Sequence, residues 1–218
     1  YTPTIAQPAG DPRAVAFRNL RSNCSFYGGF AGTEVLRSQR NPGVNITILS
    51  ADIGVQGVQS DNAYRVIDVN AVTQVVFDGL VIERGLANTG TNNLGAGMNI
   101  NNSLVTLKGV VFRDNEAANG GALLLQASAG VTVFEDCVFI GNKASSQGGA
   151  VFVNSNAAAA LSFLGCTFQS NAAGAGGAIA SVRAASMSFG PSAASGSTKF
   201  IANRANTNGG ALYRRQDN

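Results

Sequence analysis

From Val75 onward the apolar residues fall into short alternating clusters that return in a fixed order. The upstream clusters are Val75, Phe77, Leu80 and Ile82; Val105, Leu107, Val110 and Phe112; Val131, Val133, Cys137 and Phe139; and Leu161, Phe163, Cys166 and Phe168. Further apolar positions lie downstream, at Leu123 and Leu125, Val151 and Val153, and Ile179 and Val182. Alternation with a period of two, over short runs rich in Val, Ile and Phe and bounded by Gly and Asn, predicts β-strands. No extended i, i+3, i+4 pattern supports helices. The spacing predicts about three short strands per repeat.

Between these clusters one phrase is written four times: an aromatic anchor, Asn three residues on, Ala two residues after it, then Gly-Gly-Ala and an aliphatic residue. The anchors are Phe112, Phe139, Phe168 and Phe200, which recur 27, 29 and 32 residues apart. Their partners are Asn115, Asn142, Asn171 and Asn203, and the glycine pairs Gly120-Gly121, Gly148-Gly149, Gly176-Gly177 and Gly209-Gly210. A degenerate copy precedes them, from Ile82 and Gly85 to Gly95 and Gly97. Self-similarity at this period predicts stacked units that cannot bury an apolar face alone. The implied fold is all-β: a single-stranded parallel β-helix of about five to seven coils, right-handed by the general preference of parallel crossovers. In it the phenylalanines form an internal stack, and the asparagines occupy a bend where Asn tolerates left-handed backbone, their amides free to bond along the ladder. Gly-Gly allows a sharp corner. The anchor alignment also sets Glu83 against Arg113, Arg84 against Asp114 and Glu116 against Lys143 on neighbouring coils.

Composition narrows the surface. Of the 218 residues 45% are apolar and only 12% charged, with a net charge of +3 and 27 glycines. The charged share is about half the usual. The basic residues are dispersed, which argues against nucleic-acid binding. No run approaches the roughly 18 apolar residues of a membrane-spanning helix. Asn23, Asn45 and Asn101 each head a glycosylation triplet, about as many as chance gives in so Asn-rich a chain.

Residues 1–70 read as irregular coils and residues 71–218 as regular ones, within one continuous domain. The first part carries a distinctive stretch: Phe26-Tyr-Gly-Gly-Phe30-Ala-Gly-Thr-Glu34, then Arg37-Ser-Gln-Arg40, Asn45 to Ile53, and Asp61 to Val66. This resembles the opening module of large secreted or surface-anchored β-helix repeat proteins. With the F-x-x-N and G-G-A-[LIV] repeats that follow, the chain is similar to the passenger regions of chlamydial polymorphic outer-membrane proteins. The resemblance implies a pectin-lyase-like solenoid, a surface or extracellular location, and an adhesin or structural role with a protein or glycan partner. It also marks the chain as a fragment without complete caps, open to end-to-end or lateral assembly.

The chain has no His, which removes Ser-His-Asp and Cys-His arrangements and the usual zinc sites. Cys137 and Cys166 share a repeat position and are expected as buried stacked thiols, with Cys24 a third inward-facing one. Asp52 and Asp61 suit capping and turn roles better than calcium. The best carbohydrate-site candidates are Asp78 and Asp136, aligned two coils apart at one bend with Lys108 between them, near the far end of the carboxylate separation in inverting glycosidases. Polar residues on exposed bends are the simpler reading, and Glu135 beside Asp136 suits a solvated bend. The expectation is therefore a non-enzymatic β-helical surface module without cofactor, with a polysaccharide lyase or hydrolase, or a filament or cell-wall subunit, as alternatives.

Overall fold

The computed structural model describes residues 1–3, 10–90, 92–127, 130–155, 159–182 and 186–215. The chain winds as a parallel β-solenoid of about six turns. One full turn shows the plan: strands Val105–Lys108, Val111–Arg113, Glu116–Asn119 and Leu123–Leu125 follow one another, each in a different sheet. There are thus four strands per turn where three were expected. The additional one covers the segment after each ladder asparagine. Its inward positions are Ala117, Ala144 and Ala173, all buried. Side chains this small leave no period-two alternation of large apolar residues in the sequence.

The first sheet stacks Ser25–Tyr27, Val75–Asp78, Val105–Lys108, Val131–Glu135, Ala160–Leu164 and Ser186–Ser192. The second begins at Thr47–Ser50 and ends at Lys199–Ile201, the third runs from Leu86–Ala87 to Arg204–Asn208, and the fourth from Ile67–Asn70 to Leu212–Arg215. Pairing between turns is parallel throughout. An antiparallel pairing of Pro191 and Ser192 with Ser197 and Gly196 closes a hairpin in the last turn.

Because equivalent positions lie directly above one another, identical side chains meet. The rings of Phe112, Phe139, Phe168 and Phe200 stack with centroids 5.0, 4.7 and 4.9 Å apart and planes within 7° of parallel. A second file on the first sheet holds Phe134, Phe163 and Phe189 at 4.6 and 5.5 Å. The two files meet edge-on, as at Phe163 and Phe168, 5.3 Å apart at 74°. Offset stacking along a file and edge contacts between files both suit the quadrupole of the aromatic ring. Burying one such ring contributes about 1.5–3 kcal/mol.

The asparagines depart from the sequence expectation in one respect. The residue in left-handed backbone is the one before each of them: Asp114, Gly141, Ser170 and Ala202, with φ between 50° and 66°. That residue turns the corner, and the asparagine points inward. Asn115, Asn142 and Asn171 are fully buried. Each side-chain amide donates to the oxygen of the next, at 3.0, 3.0 and 2.9 Å along Asn115, Asn142, Asn171 and Asn203. Each also bonds the preceding turn, as Asn142 Nδ2 does to the Phe112 carbonyl at 2.9 Å. Buried polar groups are tolerated because they are paired in this way.

In the glycine pairs the first residue has φ near 64°, which any other residue adopts only with strain. The second is excluded from bearing a side chain by packing: a Cβ on Gly149 would run into the Gly177 carbonyl of the next turn. Of the three expected charge pairs, Arg113 meets Glu83 at 2.6 Å. Arg84 turns instead to Asp52 at 2.6 Å, drawn by a nearer carboxylate than Asp114. Glu116 and Lys143 stand opposite in register without an ion pair among the described residues. Cys137 and Cys166 are buried, free and on adjacent turns, while Cys24 is half-buried against the core.

Candidate functional site

The wall of the solenoid turns from the first sheet to the second in one or two residues on the next four coils, as at Gly79 or at Gly109 and Val110, and the hairpin fills this corner on the last. On the first coil the same corner holds residues 28–46. This insertion folds back beside the outer face of the first sheet and borders an open groove of about 820 Å³ lined by Tyr27, Leu36, Arg37, Arg40, Asp78 and Lys108, with Val76 in the wall.

Local chemistry explains why the insertion holds its shape. Gly28 N–H donates to the Asp78 carbonyl at 2.8 Å, so the insertion leaves the wall from a paired position. The Glu34 carboxylate gathers three successive backbone N–H groups, from Ala31, Gly32 and Thr33, at 2.7, 2.9 and 3.0 Å. These bonds, that from Ala31 foremost, hold the Glu34 carboxyl below its ordinary 4.5. A single 3₁₀ turn, Arg37–Gln39, follows, and Gln39 Oε1 accepts from the N–H groups of Val35 and Leu36 at 2.9 and 2.8 Å. Asn41 N–H and Asn45 Nδ2 both return to the Gly29 carbonyl. The cations are therefore set on a braced loop.

Two guanidinium groups share one aromatic ring. Arg37 lies 4.7 Å and Arg40 5.3 Å from the Tyr27 centroid, and Arg37 Nη1 donates to the Tyr27 hydroxyl at 2.8 Å. Arg40 Nη2 pairs with Asp78 Oδ2 at 2.6 Å, both side chains mostly buried. Along the tube axis the register sets Tyr27 beside Asp78, Asp78 beside Lys108 and Lys108 beside Glu135. Lys108 Nζ meets Glu135 Oε2 at 2.9 Å. The hydrogen bond to Glu135, then its charge and those of Asp78 and Asp136, raise the Lys108 pKa above its ordinary 10.5. Lys108 is thus held as a cation. Among the described residues Arg37 has no acidic partner.

The structure brings Asp78 and Lys108 together and leaves Asp136 out. The position two turns above Asp78 belongs to Glu135, because alternation along the strand puts Phe134 inside and the next residue outside. Asp136 follows at the corner with φ 53°, and its carboxylate accepts from the Ser192 hydroxyl. Tyr27, Arg37, Arg40 and Glu135 carry no role in the sequence reading. The visible signal was the Tyr-Gly-Gly and Arg-Ser-Gln-Arg stretch itself, whose folding onto Asp78 of the neighbouring coil was not. Among the described residues no three of His, Cys, Asp and Glu cluster as a metal site, and no helix is long and apolar enough to cross a membrane.

Chemically, the groove offers cations at fixed spacing, with Asp78 and Glu135 both already engaged. A β-solenoid repeat protein bearing a polar groove is the class that fold and site define. Residues 136–154 match the family model of the Chlamydia polymorphic membrane protein repeat, the stretch from the corner at Asp136 through one ladder asparagine and glycine pair to Asn154. No curated protein and no solved structure matches the chain. Together, the matched repeat and the stacked parallel sheets make this a β-helix repeat protein resembling the passengers of polymorphic membrane proteins. That repeat belongs to outer-membrane surface proteins.

Proposed function

We propose that the chain is a non-enzymatic module of a cell-surface protein, a stiff rod that holds its groove and corners out to a partner in adhesion or structural presentation. The observation that carries this reading is the continuity of the ladders. Stacked rings, amides and backbone bonds run from turn to turn, and such a scaffold fixes the positions of surface groups without a hinge. The matched repeat of surface proteins supports the location. The test is the full-length gene product on intact cells. Protease shaving and antibody labelling should reach the rod from outside, and beads coated with the module should bind target surfaces. A product inaccessible on intact cells and released only by lysis would refute the proposal.

One observation favours a second reading, a polysaccharide lyase or hydrolase: carboxylates and cations do meet, at Asp78, Arg40, Lys108 and Glu135. It ranks lower on protonation. A general base needs a pKa near the working pH, whereas Lys108 is pushed the other way. Depolymerisation of a polyuronate, lost in Asp78→Asn and Lys108→Ala, would promote it.

A further inference from the structure

We propose that the groove beside the 28–46 insertion is a binding site for a linear acidic glycan, one carrying carboxylate or sulfate groups along a hydroxyl-rich chain. This rests on the reading of the molecule as a surface module, and it assigns that module a ligand class.

Charge comes first. Three of the residues lining the groove are cations, Arg37, Arg40 and Lys108. Asp78 pairs with Arg40 and Glu135 with Lys108, and the charge of Asp136 also reaches Lys108, so what the groove offers an anion depends on the cation that has no acidic partner among the described residues. Arg37 is the cation with most to offer an incoming anion. It is exposed, it has no acidic partner among the described residues, and its orientation is already set by the Tyr27 ring and hydroxyl. A planar guanidinium so placed presents paired N–H donors to a carboxylate or sulfate at little further cost in side-chain entropy.

Geometry then selects a polymer. Tyr27, Asp78 and Lys108 sit on successive turns, about 4.8 Å apart along the tube. Arg37 stands at Tyr27, Arg40 at Asp78 and Lys108 on the turn after, so the cations step along the axis, and the groove is open rather than an enclosed pocket for one small anion.

Backbone satisfaction selects a glycan over a peptide. An extended peptide commonly binds by adding to an unpaired strand edge. Here the wall is a sheet face whose strands Ser25–Tyr27, Val75–Asp78, Val105–Lys108 and Val131–Glu135 already pair with one another. A peptide laid on this face would find no backbone partners. A sugar chain keeps its outer hydroxyls in water and needs only its anionic groups held.

The experiment is binding of fluorescent oligosaccharides to the folded module: a polygalacturonate fragment for the carboxylate arm, a heparin fragment for the sulfate arm, with cello-oligosaccharide and polyglutamate as comparisons. At least one acidic glycan should bind, more weakly as salt rises. Arg37→Ala should weaken it roughly tenfold and Lys108→Ala at least as much, since Glu135 is then left unpaired beside the anion. Arg37→Lys should recover only part. Lys143→Ala, an exposed cation on the third sheet, should bind as the parent does. Each variant is compared only if its thermal unfolding matches the parent's. The arm that binds identifies the anion. Failure of both arms, equal binding of the neutral sugar, tighter binding of polyglutamate, or an equal loss in Lys143→Ala overturns the assignment. Shortening of the bound glycan would sink the non-enzymatic reading and leave the groove standing, whereas a displayed, folded module that binds neither arm would sink the groove alone.

Discussion

Removing the side chain of Asn142 tests what the amide ladder contributes. Its Oδ1 accepts from the Asn115 backbone N–H at 3.2 Å and from Asn115 Nδ2 at 3.0 Å. Its Nδ2 donates to the carbonyls of Phe112 and Ile140 at 2.9 and 3.3 Å, and to Asn171 Oδ1 at 3.0 Å. After Asn142→Ala, Asn115 Nδ2 keeps the Ile82 and Arg113 carbonyls, and Asn171 Oδ1 keeps the backbone N–H of residue 142. The group left without a partner in a dry interior is the Asn115 N–H, since the Phe112 carbonyl stays in the parallel ladder with the Val138–Ile140 strand. An unsatisfied buried group costs about 1–3 kcal/mol, so the variant should lose about that much. For a domain of this size that lowers Tm by about 2–12 °C. Asn203→Ala, at the end of the ladder where the site is only half-buried, should cost less than half as much because water can replace the amide. Thermal unfolding by circular dichroism measures the loss, and hydrogen exchange at the Asn115 amide reads the orphaned donor itself. Equal losses in Asn142→Ala and Asn203→Ala, or unchanged protection at Asn115, would refute the ladder as a source of stability. So would strict additivity in the Asn115→Ala/Asn142→Ala double variant, since the two side chains share one bond.

Phe139→Ala empties a site between two stacked rings and should cost about 3–5 kcal/mol, seen as a lower denaturant midpoint, with Phe139→Leu retaining much of it. Gly149→Ala sets a methyl group against backbone of the next turn and should abolish soluble folding, whereas Gly109→Ala meets only backbone strain, about 1 kcal/mol, because nothing lies near its Cβ. Glu34 has a lowered pKa in the fold, so the stabilisation it gives the groove loop is present above its ordinary 4.5 and is lost as pH falls through the folded value. Protease cleavage within residues 31–40 should therefore rise on acidification and become pH-independent in Glu34→Gln. Burial pushes the Cys137 thiol well above its ordinary value, and Cys166 is buried beside it. A maleimide should label half-buried Cys24 first and reach the other two only on unfolding; rapid labelling of all three would contradict a closed core.

The repeat was legible because its letters are large or conformationally special. Phenylalanine at the anchors and glycine pairs at the corners announce themselves in any alignment, and the apolar alternation gives strands directly. The third sheet was hidden because Ala117, Ala144 and Ala173 carry its inward face. The role of the asparagines was half visible. Their stacking follows from the period, but only the coordinates separate the residue that turns, Asp114 or Ser170, from the one that points inside. The groove was least legible. Arg37 and Arg40 are 41 and 38 residues from Asp78 and meet its coil only because the insertion doubles back, a fact of loop geometry that no period encodes. The misplacement of Asp136 shows how sensitive a surface site is to register: a shift of one residue exchanges an outward strand position for a corner.

Along Asn115, Asn142, Asn171 and Asn203 every amide-to-amide bond runs the same way, the earlier asparagine donating to the later. Each of these windings therefore meets its neighbours through the same donor and acceptor, and a complete winding can be added or deleted among them without disturbing the rest. A partial one would misalign the amides and both ring files at once. The rod can thus change length in evolution only by whole windings, while its corners stay free to grow outgrowths such as residues 28–46. Reach and recognition become separately adjustable.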